Sequence, residues 1–433
     1  MKKTVDKYQD VDDGVQVDGG GRGGFSLRNL RTFSSLKNPV YRLYYAGMLG
    51  QMAAMNMQLM ARSLLIYRLT GSAVILGGIT LAFALPMLLL ALFGGAIADR
   101  VQKKYVLLAG QASSAIVSTG IAFSLVLGYL SAEHSSSWWL LIFASILQGT
   151  IMGLMTPSRQ AIIREIVSGE QVMNAVALNV LGMNTLRFLA PGIAGFLIDA
   201  FDFAAVYFAM TGMYLMAVVF IAFMPLTGTM TIRSRGALSD IKEGFKYIRH
   251  ETTILFILLF TLSAVTLSMP YMSLMPIFTE DILKVSATGM GVLLSVSGIG
   301  AMTGSVILAS LPNKKRGAML LLSSLFLGMV LIVFSFSHSW YLSIALVIFV
   351  GLGQAGRMTL GNTLLQYYVE DEYRGRVMSI HMMQFGMMSI GAFLAGLIAE
   401  AIGVQWAVGG FAMVLVILCI LMLAFVPRLW KLD

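Results

Sequence analysis

Apolar runs of about twenty residues, many of them separated by short charged clusters, recur along this chain, and no other feature restricts its fold so strongly. Twelve can be marked, at residues 41–67, 73–98, 105–130, 138–163, 174–200, 203–225, 253–279, 288–311, 317–337, 340–367, 376–401 and 404–427. A helix of that length spans a hydrocarbon layer of about 30 Å. Lipid offers the backbone no partner, so a spanning segment must be a helix or part of a closed barrel, and barrel-type alternation is absent. The expected fold is all-α: an integral membrane protein with twelve transmembrane helices in two six-helix pseudo-symmetric halves. Only 12% of the residues are charged, against about 25% in soluble domains.

The charges between the runs alternate in sign. One set of segments carries Arg100, Lys103 and Lys104; Arg164; Arg233, Arg235, Lys242, Lys246 and Arg249; Lys314, Lys315 and Arg316; Arg374 and Arg376. The other set carries Glu133, Asp202, Glu280, Asp281 and one Lys284. Basic loops face the cytoplasm, so an even helix count with both termini inside is expected. The net charge of +9 is spread over these clusters, which argues against a nucleic-acid surface. Residues 1–38 are polar and Gly-rich with no apolar core behind Lys2 and Lys3. They read as a flexible cytoplasmic tail and not as a signal peptide. Residues 39–226 and 253–433 form the two halves. Between them the linker 227–252 contains "ALSDIKEGFKYIRH", with Leu238, Ile241, Phe245 and Ile248 on one helical face, as in a helix lying on the membrane surface.

The halves echo each other. "GIAGFLIDAF" (192–201) sits over "FLAGLIAEAI" (393–402), pairing Asp199 with Glu400; "GLMTPSR" (153–159) sits over "GLGQAGR" (351–357), pairing Arg159 with Arg357. Such repeats mark secondary transporters that rock about a central site. No nucleotide-binding glycine loop or His-Glu-x-x-His sequence is present, so the reading excludes an ATP-driven pump, an enzyme, a metal site and a cofactor. The single Cys419 permits no internal disulfide.

Between the second and third runs, "GGAIADRVQKK" places Gly95 one turn before Asp99, followed by Arg100, Lys103 and Lys104. Two readings apply: a cluster that only sets topology, or a breakable latch between the halves with Gly95 permitting close approach of another helix. This stretch resembles the loop signature of the major facilitator superfamily, with Gln102 where a second glycine is usual. "LIYRLTGSAVILG", "PSRQAIIREIV", "NAVALNV", "EGFKYIRH", "MPIFTEDILKVSATGMGVL" and "NTLLQYYVEDEYRGRVMS" are similar to the bacterial branch that includes the enterobactin exporter and related efflux proteins. "RFLAPGIAG" is similar to the Gly-Pro element of exporters at Pro191, Gly192 and Gly195, with Ala190 in place of the usual first glycine. The resemblance implies a multi-pass protein of the bacterial inner membrane, a monomer, that exports a small molecule by alternating access with proton antiport. It also implies that the loop carboxylate holds one gate closed.

Substrate-cavity candidates follow from polar residues inside apolar runs, which turn toward the bundle interior or a wet cavity. Gln51, Met55, Gln58 and Arg62 share one face of the first run; Gln148, Met152, Met155 and Arg159 share one face of the fourth. Interhelical packing and cavity lining are equally compatible with both stripes. Arg187 and Arg357 fall near the middle of the fifth and tenth runs, and no Asp or Glu falls at that depth. An arginine there costs at least about 2.5 kcal/mol without a partner or water. A neutral-to-positive cavity suits neutral amphiphiles or anions. Candidates for proton coupling are Asp99, Asp199, Glu400 and His381, each with a simpler structural reading. Rival functions are an importer or uniporter of the same fold, or a membrane receptor or scaffold without transport.

Overall fold

The structure, a computed structural model, describes residues 31–134, 136–226, 237–312, 314–430 and 432. Most of the expected tail 1–38, and residues 227–236 of the linker, lie outside the described residues. The first half consists of α1 (Pro39–Thr70), α2 (Ala73–Arg100), α3 (Lys103–Val126), α4 (Trp139–Ile166), α5 (Val172–Phe201) and α6 (Phe203–Ala222). After α7 (Ala237–His250) come α8 (Thr252–Ser268), α9 (Ala287–Ser310), α10 (Arg316–Ser335), α11 (Trp340–Tyr368), α12 (Asp371–His381), α13 (Gln384–Ile402) and α14 (Val404–Phe425).

Among the described residues, eleven helical segments are long and apolar enough to cross a membrane by composition alone. The twelfth span is α1, whose Gln51, Gln58 and Arg62 are buried in protein and never meet lipid. Its start is fixed by Asn38, whose Oδ1 accepts from the Val40 and Tyr41 amides at 2.9 and 3.3 Å, with Pro39 at the first helical position. Gly71, at φ +62°, ends it.

Two spans are interrupted where the sequence suggested continuous helices. The seventh breaks after Ser268 into short turns through Pro270 and Pro276, because neither proline has an N–H to give to the helical ladder. The eleventh is divided into α12 and α13 at Met382 and Met383, where the Met383 amide donates to the Ile380 carbonyl, three residues back.

The sequence echo has a packing counterpart. A Cβ at Gly153 would stand 2.6 Å from the Met87 carbonyl oxygen, and one at Gly351 would stand 2.0 Å from that of Ser297. The echoing glycines thus press α4 onto α2 and α11 onto α9 in the same way.

Helix α7 packs on α12. Arg376 pairs with Glu243 at 2.9 Å, and Tyr247 stacks on Tyr373 with ring centroids 4.2 Å apart. Ile248 is buried and Phe245 is 52% exposed; Tyr247 and Ile248, adjacent on the helix, meet protein. The side chains of Leu238 and Ile241 lie outside the described residues.

The chain enters α1, and leaves α14, on the same face of the bundle as α7; this is called the terminal face below. Among the described residues, the hydrogen bonds and ion pairs between halves gather at the opposite face. There Arg68 pairs with Glu280 at 2.8 Å, Tyr67 donates to Asp281, and two helix seams, α5 with α9 and α13 with α2, bring backbones together.

Candidate functional site

The two seams are built alike. At one, Asp199 at the end of α5 accepts from the Ala287 and Thr288 amides, at 3.2 and 2.7 Å, in the first turn of α9. At the other, Glu400 at the end of α13 accepts from the Ser72 hydroxyl at 2.9 Å and the Val74 amide at 3.1 Å, at the start of α2. Each carboxylate therefore caps a helix of the other half, where unsatisfied N–H groups and the helix dipole favour negative charge. One turn earlier on each helix lies a glycine. A Cβ at Gly195 would stand 2.4 Å from the Ala287 oxygen, and one at Gly396 would stand 2.4 Å from the Ala73 oxygen.

Gly195 continues the Pro191–Gly192 element along the α5–α9 seam. A Cβ at Gly192 would lie 3.0 Å from the Ser295 hydroxyl, and Pro191 lines a central pocket just beyond it. That pocket lies between the halves. Asn56 and Leu59 of α1 and Arg187 of α5 form one wall; Tyr271, Ser297 of α9 and Gln354 of α11 form the other. Arg187 is exposed there. Arg357, one turn beyond Gln354, is only 2% exposed. Its Nε and Nη2 have no hydrogen-bond partner, and neither does the Gln354 Oε1.

The polar stripes of α1 and α4 meet each other, but inside the first half. Gln51 points its amide at the Met152 and Met155 sulfurs, at 3.8 and 3.9 Å. Gln58 accepts from the Tyr214 hydroxyl at 3.4 Å. Arg62 donates to the Ser145 hydroxyl at 3.2 Å and lies over the Phe83 ring. Gln148 donates to Ser114 at 3.2 Å. In this conformation these contacts are interhelical packing. Met55 departs from its stripe and is 38% exposed. Arg159 sits beside Tyr44 toward the terminal face, with its Nη1 unpartnered. The pocket-facing residues of α1, Asn56 and Leu59, occupy the adjacent stripe. Asn56 is polar inside an apolar run, the one signal that pointed to it. Gln354 was legible only as the residue one turn before Arg357.

In the loop motif, Lys103 pairs with Glu165 of α4, and Lys104 donates to the Ala222 and Met224 carbonyls at the end of α6. Both lysines are tied into their own half and do not stand free among lipid headgroups. Arg100 is exposed; the Asp99 side chain lies outside the described residues. Gly95, expected to admit a neighbouring helix, has nothing within 4 Å of its Cβ position, whereas Gly94 meets the Gly153 oxygen at 2.6 Å. His381, at the break between α12 and α13, is 4% exposed with its Nδ1 unpartnered.

Solved structures share this architecture. Nucleoside transporter NupG superposes with a TM-score of 0.70, covering 88% of this chain and 99% of that one at 12% identity. The D-xylose-proton symporter superposes at 0.67, covering 91% and 99% at 13% identity. At such identities the likeness is one of fold, and the fold is that of a membrane transporter of the major facilitator type. The chain belongs to the transmembrane secretion effector family of that superfamily, whose family model matches residues 30–433. It is 26% identical to the Staphyloferrin A transporter of Staphylococcus aureus over 335 residues, 77% of this chain and 83% of that one. It is 22% identical to Macrolide efflux protein A of Streptococcus pyogenes over 350 residues, 78% and 83%.

Proposed function

We propose that this transporter exports small anionic amphiphiles across the bacterial inner membrane by alternating access with proton antiport. Residues 39–226 and 253–433 act as the two moving bodies of a monomer. The observation that carries this reading is the pocket between the halves: Arg187 lines it from one half, buried Arg357 lies one turn beyond Gln354 in the wall of the other, and no carboxylate among the described residues lines it. Such charges at membrane depth call for water or an anionic ligand. Leu59, Pro191 and Leu294 in the same walls supply apolar contact. The Staphyloferrin A transporter and Macrolide efflux protein A among the relatives support transport of small molecules and, for the second, outward movement.

Both termini are cytoplasmic in this reading, because the basic loops Arg100–Lys104 and Lys314–Arg316 lie on the terminal face. The structure then represents a state closed to the outside and open to the cytoplasm, ready to load an exported substrate. Of the proton-coupling candidates, Asp199 and Glu400 are engaged as helix caps, while buried His381 retains an unpartnered nitrogen. His381 is the proton carrier that this geometry favours.

Inside-out membrane vesicles test the function. An amphiphilic carboxylate should accumulate in them when an inward-acid gradient is imposed, and its neutral amide should not. Accumulation that ignores the gradient removes proton antiport; uptake only by right-side-out vesicles reverses the direction. Cysteines at Ser339 and Gln102, in a Cys419→Ser background, test orientation. An impermeant thiol reagent should label position 339 from outside intact cells and leave position 102 untouched.

A further inference from the structure

The α5–α9 seam is tight at the opposite face and comes apart toward the terminal face. A Cβ at Gly195 would stand 2.4 Å from the Ala287 oxygen, one at Gly291 would stand 2.5 Å from the Pro191 oxygen, and one at Gly298 would stand 3.2 Å from the Phe188 Cα. Beyond Phe188 and Gly298 the two helices part. α9 stays pressed on α11, where a Cβ at Gly304 would stand 2.9 Å from the Leu352 oxygen, so α5 is the neighbour it leaves. The gap is a cleft of about 590 Å³, lined by Thr185 and Phe188 of α5 and by Ile299, Met302, Thr303 and Val306 of α9. Gly298 lies about 16 Å along α9 from Ala287, near the middle of a hydrocarbon layer of about 30 Å. The cleft therefore occupies the leaflet on the terminal face.

We propose that this cleft binds the alkyl chain of an amphiphilic substrate, taken directly from that leaflet, while the charged head reaches Arg187. The chain site stands on the cleft itself; the head contact rests on the reading of the pocket as an anion site. The lining points to a hydrocarbon chain. Its two polar side chains, Thr185 and Thr303, donate their hydroxyls to the Leu181 and Ile299 carbonyls of their own helices, at 2.9 and 3.0 Å, and the other four are apolar. Volume points the same way. The central pocket offers about 20 Å³, room for about one water, so the chain of an amphiphile finds no space there. The two spaces are one residue apart. Arg187 lines the pocket and the next residue, Phe188, lines the cleft. Gly298, against which Phe188 packs, belongs to the pocket wall.

This route leaves the chain in apolar surroundings throughout. A chain that reached the pocket through water would expose every methylene, at a cost proportional to its area. Through the cleft it slides between side chains as apolar as lipid, and only the head changes its environment. Val306, 68% exposed, and Met302, 39% exposed, form the lip. Closing the terminal face brings α5 and α9 together at this level, so the cleft accepts a chain in the present state and expels it in the other.

Photolabelling of the full chain in lipid nanodiscs tests this, with a long-chain carboxylate carrying a mid-chain diazirine, and its primary amide, as probes. Labelled residues are mapped by mass spectrometry. Ile417 and Leu421, exposed on α14, report ordinary bilayer contact. The acid should label the cleft residues of α5 and α9 above that control, and excess unlabelled acid should remove the difference. Thr185→Trp and Thr303→Trp fill the cleft from either wall, and each should return cleft labelling to the control level. Arg187→Gln should bring the acid down to the amide. Cleft labelling equal to the α14 control overturns the proposal, since the cleft is then only lipid contact. Labels confined to Leu59 and Tyr271 also overturn it and leave the anion pocket standing. Equal labelling of the cleft by acid and amide, above the control, keeps the chain site and removes the anion reading.

Discussion

Charge is answered in opposite ways at the seams and in the pocket. At the opposite face, Asp199 and Glu400 each receive two hydrogen bonds from the facing half, and Arg68 meets Glu280. Behind the pocket wall, one turn beyond Gln354, Arg357 keeps two buried nitrogens without partners. Both regions join the same two halves. At the seams the protein supplies its own complement, so the contact needs nothing else to form. The pocket lacks one, so its completion depends on what binds. A transporter that cycles needs both kinds of contact: a gate that closes without cargo and a site that does not.

The comparison is broken most severely by filling a seam glycine. Gly396→Leu places atoms against the Ala73 backbone, where a Cβ alone would be 2.4 Å from an oxygen, and backbone cannot yield as a side-chain tip can. Gly195→Leu does the same against Ala287. Either change should reduce transport to background with membrane insertion intact. The distance between spin labels at Tyr129 and Tyr341, exposed on the opposite face in different halves, should lengthen. Unchanged distances would show that the seams are not the closure element.

A milder change removes only the caps. Asp199→Asn and Glu400→Gln each forfeit a charged cap worth about 1 kcal/mol, roughly a fivefold shift toward the parted seam. The caps serve separate helices, so the double variant should add to about 2 kcal/mol, near thirtyfold. The same label pair reads the populations. A double variant no worse than either single would show that the two seams open as one unit.

The smallest effect is expected at the outer ion pair. The Arg68 and Glu280 side chains are 35% and 25% exposed, and pairs of that kind contribute about 0.2–1 kcal/mol. Arg68→Gln should therefore shift the label distances less than either cap variant. The shift should shrink further as salt rises. A shift larger than that of Glu400→Gln would move the main latch from the seam to the rim.

Much of the frame was legible along the chain, and the reasons differ by feature. Span length against bilayer thickness gave the helices. The alternation of basic and acidic loops gave their order, and the echo of "GFLID" with "GLIAE" marked equivalent glycine–acid pairs. That these acids cap α9 and α2 was not legible, because a cap is made with a residue far away in the chain. Arg187 and Arg357 were noticeable because charge is expensive at that depth. The residues around them were not: Tyr271 follows a proline break that hydropathy does not register, and Asn56 lies one stripe away from the chosen face of α1. Gln51, Gln58 and Arg62 were singled out correctly as inward-facing, yet inward meant the core of one half.

The sequence alone determined how many segments span, where they begin and end to within a few residues, and that the two halves repeat one plan. Those properties depend on local hydropathy, length and charge. The tertiary structure decided which face of each helix meets a partner, which glycines become contacts and which arginine is left unanswered. A soluble helix announces its buried face, because its other face must be polar. In a bilayer the lipid-facing side and the protein-facing side are both apolar, so periodicity carries little of that information and only packing supplies it.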